Sequence, residues 1–522
     1  MKKIIILLIV LATGAAMMTY LYFSRLNTEN DSKDLALQSA TNNAALIFSF
    51  QNDKGFYQIL EGQQLLQKAL GADKMMFLKQ IKDQLLNDQI LNNFISDQQI
   101  YVSILPDGQN QLNFLITTQI NPDQNTKQFF EYLKQKQSLK AAGKEMYSLL
   151  LEDGTPFYLH IKDRVITASG SVRLIENAAI RLTENPFTAY IKASGVQNKN
   201  VLAQLYINFN QAPLLLKNIL AGNLNGELSV FNKQNGYATL NYNFSKEKIL
   251  FNGNAELLDA DNYFKLFENT APQNISITNL LPNKTAGYVL YATDNYQSWL
   301  TKLKALQKRR NETAKVDGLI RKIRADYGTD LDKVFPVYTK NQFISFQLAT
   351  GEKLGAIALS NGEKVKQMFL DLSADYNEHI KIFKIPNILN GYFGDAFKKF
   401  ERPYYTIIDN YLVFSNYAST LESFLNDYQS SRLLIDTPEY QDALNQLSST
   451  SNIGFYFGLK NSRDLIRQNV RLQYYKHMVA DSGLKTFDTF YFQMSADKNK
   501  FITNLLVNKY LKSEVPDSLS NR

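Results

Sequence analysis

Short runs of alternating apolar and polar residues, separated by turn signals, recur along most of this chain. Residues 403–428 predict a strand, a two-residue turn, a second strand and a helix, because alternation gives way to apolar spacings of three and four. Residues 156–182 repeat this pattern, and Asp163 and Ser169 match Asp409 and Ser415 at one constant offset. The repetition predicts that one structural unit occurs twice.

Further segments match in the same order. The strand over residues 45–50 matches residues 287–292, and Tyr206 matches Tyr456. A closing hairpin over residues 237–257 matches residues 487–507, with Ser245 placed on Ser495. Apolar residues at Met75 and Leu78, like those at Val316 and Leu319, fall at helical spacing.

These patterns predict an α+β fold made of two tandem copies of an antiparallel-sheet-plus-helices unit, behind an N-terminal transmembrane helix. Strands that alternate between apolar and polar residues favour antiparallel sheets with one covered face. The predicted organisation is an N-terminal membrane anchor or signal over residues 1–25, a tether over 26–43, a first repeat over 44–258, a linker over 259–285, a second repeat over 286–510 and a flexible tail over 511–522.

The N-terminus carries the predicted membrane segment. Twenty residues without a charge, bounded by Ile4 and Phe23, follow Lys2 and Lys3. A helix of that length spans the hydrocarbon core of a bilayer, and the preceding lysines orient its N-terminus inward. The alternative is a secretory signal cleaved near the small residues 14–16. We expect a single-pass protein of the cell inner membrane with its body in the periplasm.

Two sequence segments resemble those of a known protein family. They are LLPNKTAGYVLYATDNYQSWL over residues 280–300 and DNYLVFSN over residues 409–416. With the N-terminal segment, they resemble a family of uncharacterised exported, membrane-anchored bacterial proteins, a domain of unknown function that occurs in tandem repeats. The resemblance implies fold and envelope location. It implies no catalytic residue and no ligand.

The composition limits the kinds of functional site that the chain can form. The chain of 522 residues has a net charge of +8, a mild excess that does not single out nucleic acid, and it has no cysteine. His160, His379 and His477 are isolated from one another in sequence, which argues against a zinc site. No phosphate-binding glycine motif occurs. We therefore expect no metal, no cofactor and no nucleic-acid partner.

The matched polar residues favour structural roles. Ser169 and Ser415 follow strands without a nucleophile-elbow motif, so we expect them to cap or turn the chain. Asp163 and Asp409 stand at predicted hairpin turns, where aspartate tolerates left-handed geometry.

One cluster of basic residues is a candidate contact for an anionic surface. Basic side chains crowd a helical region of the second copy, where the alternative is an ordinary solvated face. The candidate residues are Lys302, Lys304, Lys308, Arg309, Arg310, Arg321, Lys322 and Arg324.

The function expected first is that of a non-enzymatic, membrane-anchored cell-envelope protein that binds or scaffolds a partner, either an envelope protein or a lipid. The alternative is a carrier or receptor for a hydrophobic or lipid-like ligand held between helix and sheet. A hydrolase without a recognisable motif is the third reading. A carrier should contain a large apolar cavity, an enzyme a cleft with perturbed titratable groups, and a scaffold an exposed patch.

Overall fold

The computed structural model describes residues 35–510, apart from residues 84–86, 109, 137–138, 144, 152–153, 180–184, 195–200, 223–233 and 480–483. The predicted membrane segment between Ile4 and Phe23 and the predicted tail lie outside these residues. Within the described part of the chain, no helix has both the length and the apolar character needed to cross a bilayer.

Eighteen helices lie in the described residues. The first half of the chain, up to residue 258, contains α1 (Leu35–Ala40), α2 (Lys54–Gly62), α3 (Gln64–Leu70), α4 (Ala72–Ile81), α5 (Gln89–Ile95), α6 (Thr126–Gln135), α7 (Val172–Ala179), α8 (Pro186–Ala193) and α9 (Ala212–Ile219). The second half contains α10 (Tyr296–Arg309), α11 (Thr313–Tyr327), α12 (Leu331–Tyr338), α13 (Gly362–Met368), α14 (Ile388–Phe393), α15 (Ala418–Gln429), α16 (Pro438–Leu444), α17 (Leu459–Asn469) and α18 (Leu472–Val479). The helical spacings at Met75 and Val316 are thus confirmed by α4 and α11.

The same residues contain twenty-two strands. The first half holds β1 (Leu46–Gln51), β2 (Gln99–Pro106), β3 (Leu112–Gln119), β4 (Leu139–Gly143), β5 (Met146–Leu150), β6 (Pro156–Lys162), β7 (Val165–Ser169), β8 (Gln204–Asn208), β9 (Gly236–Phe244) and β10 (Lys248–Leu257). The second holds β11 (Gln273–Asn274), β12 (Thr285–Ala292), β13 (Thr339–Leu348), β14 (Lys353–Leu359), β15 (Ser373–Asp375), β16 (Lys381–Phe383), β17 (Tyr404–Ile408), β18 (Tyr411–Ser415), β19 (Thr450–Ser451), β20 (Ile453–Gly458), β21 (Thr489–Asp497) and β22 (Lys500–Asn508).

Twenty of these strands form one antiparallel sheet, which confirms the α+β class. Its order is β4-β5-β6-β7-β3-β2-β1-β8-β9-β10-β22-β21-β20-β12-β13-β14-β18-β17-β16-β15. The remaining two, β11 and β19, pair with each other. Counted outward from the central pair β10–β22, the strand orders of the two halves correspond. The order β10-β9-β8-β1-β2-β3-β7-β6-β5-β4 in the first half matches β22-β21-β20-β12-β13-β14-β18-β17-β16-β15 in the second.

The two echoed hairpins have the predicted turns. Asp163 and Arg164 have φ of 49° and 70°, and Asp409 and Asn410 have φ of 47° and 64°. Positive φ at both central residues is the signature of the type I′ turn, whose twist matches that of the flanking strands. The turn roles predicted for Asp163 and Asp409 are confirmed.

The serines that end these hairpins make the same kinds of hydrogen bond in both halves. The Ser169 hydroxyl donates to the Phe114 carbonyl at 2.7 Å, and the Ser415 hydroxyl donates to the Lys353 carbonyl at 2.8 Å. Each serine oxygen also accepts a bond from the backbone N–H two residues later. These contacts confirm a turn role and place β3 and β14 at corresponding positions.

Helices cover both faces of the sheet. On one face, α2 to α6 lie over the first half and α10 to α14 over the second. On the other face, α1, α7 and α8 pack on the first half, and α15 and α16 pack on the second. Both faces are therefore covered, and every residue of β12 is buried.

Two predicted connecting segments differ from the structure. Residues 35–40, predicted as part of the tether, form α1, whose Ala36, Leu37 and Ala40 are buried. The predicted linker over residues 259–285 is packed, with Phe267 and Leu281 in the core. Burial of their apolar side chains is favourable, and it outweighs the tendency of the neighbouring proline and polar residues to interrupt regular structure.

Two sequence matches are wrong in register. In the ladders, Ile47 pairs with Tyr206 and Tyr288 pairs with Tyr456. Ile47 therefore corresponds to Tyr288, whereas the match of residues 45–50 with 287–292 had placed it on Val289, one residue later. The closing hairpins turn after Ser245 and after Asp497, so Ser245 corresponds to Asp497. The predicted match of Ser245 with Ser495 is therefore wrong by two residues.

Candidate functional site: an apolar cavity in the first half

A cavity of about 750 Å³ lies between the sheet and the helices of the first half. Its floor consists of side chains that point from β1, β2, β3, β7 and β8 toward α2 to α6. The lining residues from the sheet include Phe48, Phe50, Ile100, Ile104, Phe114, Ile116 and Ile166, and those from the helices include Phe56, Leu60, Leu70, Met75, Leu78 and Phe129. The lining is almost wholly aliphatic and aromatic.

Strand alternation explains the apolar floor. Successive side chains of a strand point to opposite faces, so Phe48 and Phe50 face the cavity while Ile47 faces α1 and α7. Phe50 stacks on Phe56 of α2 with ring centroids 3.9 Å apart, which holds the start of the helical layer on the sheet.

The cavity divides the core of the first half. One cluster contains Phe56 and Leu240, and a separate cluster beyond the cavity contains Phe129 and Ile166. In the second half, the corresponding helices and strands belong to a single cluster that runs from Trp299 to Tyr405. In the described residues, the cavity therefore lies between two separate core clusters of the first half.

The two halves differ in the residues at one pair of corresponding positions. Ala168, before Ser169, pairs with Ile116, whereas Phe414, before Ser415, pairs with Gly355. The Phe414 ring lies so close over Gly355 that a Cβ there would be 2.3 Å from it.

Other aromatic rings complete the filling in the second half. The Phe414 ring packs edge-on against Phe397 and Phe400, with centroids 4.7 and 4.9 Å away. Trp299, which is fully buried, packs on Phe343 at 5.2 Å. At the corresponding positions the first half has Ala168 and Ile116 in place of Phe414 and Gly355, and both of these residues line the cavity.

Charged side chains occur on only one side of the cavity. We call Glu61, Lys79, Lys82 and Asp83 the mouth residues; they lie on or just after α2 and α4. Glu61, Lys79 and Asp83 are exposed, so this side faces solvent. No charged residue of the sheet lines the cavity among the described residues.

Three of the mouth residues, Glu61, Lys79 and Lys82, interact with one another. Lys82 Nζ donates to the Glu61 carboxylate and lies 5.8 Å from the centroid of the Tyr57 ring. The Lys82 hydrogen bond holds the pKa of Glu61 below its ordinary value, with a smaller contribution from Lys79. The Tyr57 hydroxyl donates to Asn52 Oδ1 at 2.8 Å, and burial raises its pKa.

The predicted basic cluster is spread over α10 and α11 and is largely paired. Lys304 contacts Asp332 at 3.0 Å, Arg309 contacts Asp261 at 3.0 Å, Arg310 contacts Asp395 at 2.9 Å and Arg324 contacts Asp330 at 2.5 Å. Lys302 donates to the Glu268 carbonyl at 3.1 Å. In the described part of the chain, Lys308, Arg321 and Lys322 are exposed and make no ion pair.

The structure does not gather the histidines. His160 is half-buried in β6, where burial lowers its pKa; His379 is exposed; and His477 packs against Gly71. Among the described residues, no three histidine, cysteine or carboxylate groups are placed to hold a metal ion.

The sequence patterns did not single out the cavity. A signal was present within the echoed hairpins, where the small Ala168 stands in the place of Phe414. Helix α4 carried a second signal, since its apolar residues include the cavity-lining Met75 and the exposed Met76. Both signals require the two halves to be compared in correct register.

Comparison with known proteins gives one match. No curated protein and no solved structure matches the chain. Residues 352–487 match a family described as "Protein of unknown function (DUF3352)". The match begins next to β14 and ends before β21, so part of the second half is similar to this uncharacterised family.

Proposed function

We propose that this chain binds a hydrophobic, lipid-like ligand in the cavity of its first half. The observation that carries the proposal is the volume of about 750 Å³ enclosed by aliphatic and aromatic side chains. Ligand pockets are typically about 300–1,000 Å³ and predominantly apolar. This is the carrier or receptor function that the sequence left as an alternative.

The energetics favour an apolar occupant. The mouth faces solvent, so the apolar lining is accessible to a ligand. Burial of apolar surface is favourable by about 25 cal/mol per Å². The lining offers water few hydrogen-bonding partners, so a hydrocarbon chain gains more there than water does.

The lining also indicates the type of ligand. Met75 and Met76 are flexible thioethers that adapt to variable shapes, and the other lining side chains offer few hydrogen-bonding groups. A flexible aliphatic chain suits such a surface better than a rigid polar molecule does.

The proposal is tested by placing a bulky ring in the cavity. Ala168 and Ile116 both line the cavity, so in Ala168→Phe the new ring would project into it beside Ile116. Wild-type protein extracted with organic solvent should release a lipid-like compound detectable by mass spectrometry. The variant should release less of it and should bind an added aliphatic fluorophore more weakly.

Ala168→Ser is the matched control, because it changes polarity at the same site without filling the space, and it should retain the ligand. Far-UV circular dichroism establishes that both variants are folded. A folded Ala168→Phe protein that binds the fluorophore as tightly as wild type would overturn the proposal.

Two further elements belong to this proposal. The corresponding strand orders, turns and serine contacts support two copies of one unit, of which the first keeps an open cavity and the second has a filled core. The uncharged segment between Ile4 and Phe23 supports a membrane anchor that would hold the binding unit in the periplasm next to lipid. In that setting a non-catalytic role as a lipid carrier or receptor is also a form of envelope partner binding.

A further inference from the structure

The distribution of charge around the cavity is asymmetric. Among the described residues, the four charged lining residues are the mouth residues on or just after α2 and α4, whereas the opposite, sheet-side wall is uncharged. A ligand with one polar end and one apolar end would therefore enter with its apolar end toward the sheet. Its polar end would remain beside Glu61, Lys79 and Lys82.

The two lysines are placed around one carboxylate. Lys79 and Lys82 are three residues apart on the same helical path, so their side chains lie on one face. Lys82 binds Glu61, whose carboxylate is 67% exposed, while Lys82 itself is 27% exposed. The more accessible partner of this ion pair is the acid, which is the member that an incoming anion would replace.

The second acid at the mouth has its own partner. The Asp83 carboxylate accepts a hydrogen bond from Asn87 Nδ2 at 2.8 Å. Lys79 is exposed and has no ion pair among the described residues. The described part of the entrance thus holds two ammonium groups and two carboxylates, and of these two acids Glu61 is the one in an ion pair with a lysine.

We infer that the ligand is an anionic amphiphile whose head group binds Lys79 and Lys82 in place of Glu61, with its hydrocarbon chain in the cavity. The inference rests on the proposed function and adds the chemistry of the head group. A carboxylate or a phosphate fits equally, since both accept charge-assisted hydrogen bonds from lysine. The Tyr57 ring beside Lys82 holds that ammonium group at the entrance.

The test compares ligands that share a chain and differ in the head group. Decanoate, decyl phosphate and decanol are titrated into the purified full chain by calorimetry at low ionic strength. Both anions should bind more tightly than decanol, and added salt should reduce that advantage because exposed charges are screened. The stronger of the two anions identifies a carboxylate or a phosphate head group.

Two variants locate the head group. Lys79→Gln combined with Lys82→Gln should weaken binding of the anions by about threefold to tenfold, as expected for exposed ion pairs, and should leave decanol unchanged. Glu61→Gln should strengthen binding of the anions, because it removes their competitor. Ala168→Phe should weaken binding of all three.

The outcomes separate the two proposals. Equal binding of decanol and decanoate to wild type, or no response to Glu61→Gln and the lysine variant, would overturn the head-group inference and leave the apolar site intact. Failure of all three ligands to bind wild type would overturn the proposed function itself.

Discussion

Asn252 of β10 lies directly opposite Asn504 of β22 in the ladder that joins the two halves. Their neighbours also correspond, since Asn252 pairs with Asn241 on one side and Asn504 pairs with Gln493 on the other. A second contact, the antiparallel bridge between Leu220 and Val470, also joins corresponding places in the two halves. This pairing is expected if a two-fold axis relates two copies of one unit.

The first prediction concerns the dependence of each half on this ladder. Residues 35–258 expressed alone should aggregate or self-associate, because β10 would present an unpaired edge with the apolar Ile249 and Phe251 beside it. Co-expression with residues 259–510 should yield a soluble one-to-one complex by size-exclusion chromatography with light scattering. A monodisperse monomer of the isolated first half would contradict this expectation.

A second prediction compares the packed and open cores. Phe414→Ala should destabilise the protein by about 3–5 kcal/mol, because it removes a fully buried ring from close contact with Phe397. Phe114→Ala in the cavity floor should cost less than half as much, because one side of that ring faces open space. Urea denaturation of the two variants measures both values. Equal losses would show that the first half is as tightly packed as the second.

The third prediction concerns the contact between α18 and the helices over the cavity. Gly71 has φ of 82°, and a Cβ there would lie 2.3 Å from the His477 ring. Gly108 has φ of 73° with open space around its position. Both alanine variants carry backbone strain, but Gly71→Ala should also displace α18 and lose more stability in thermal unfolding. Equal shifts in Tm would indicate that the His477 contact does not hold the two elements together.

The fourth prediction concerns the anionic-surface hypothesis. Of the eight basic residues, Lys308, Arg321 and Lys322 are exposed and lack ion pairs among the described residues, so they would provide the attraction. Changing all three to Glu should abolish binding to phosphatidylglycerol vesicles, and raising the salt concentration should weaken wild-type binding. Vesicle co-sedimentation measures both.

Changing three other exposed lysines, Lys364, Lys366 and Lys398, to Glu alters the net charge by the same amount and serves as the control. Equal loss of vesicle binding in the control would indicate a general charge effect. Retention of binding in the triple variant would leave these residues as a solvated face.

The register errors have a physical cause. Alternation distinguishes the two faces of a strand only when one face is polar, and β12 is buried on both faces, so a slip of one residue went unseen there. In the closing hairpin, a slip of two residues kept every side chain on its predicted face, and the alternation of apolar residues was satisfied equally by Ser495 and Asp497. Ladder pairing was needed to choose between them.

The sequence by itself determined the local elements and their order, because turn residues such as Asp163 and Asp409 and the periodicities of two and 3.6 are local properties of the chain. Only the tertiary structure decided that β10 pairs with β22 and that a cavity lies over β1 to β3. An apolar pattern specifies which side chains face inward. Whether those side chains meet depends on the summed volumes of residues far apart in sequence, such as Ala168 and Ile116 on the neighbouring strands β7 and β3, and periodicity does not reveal those volumes.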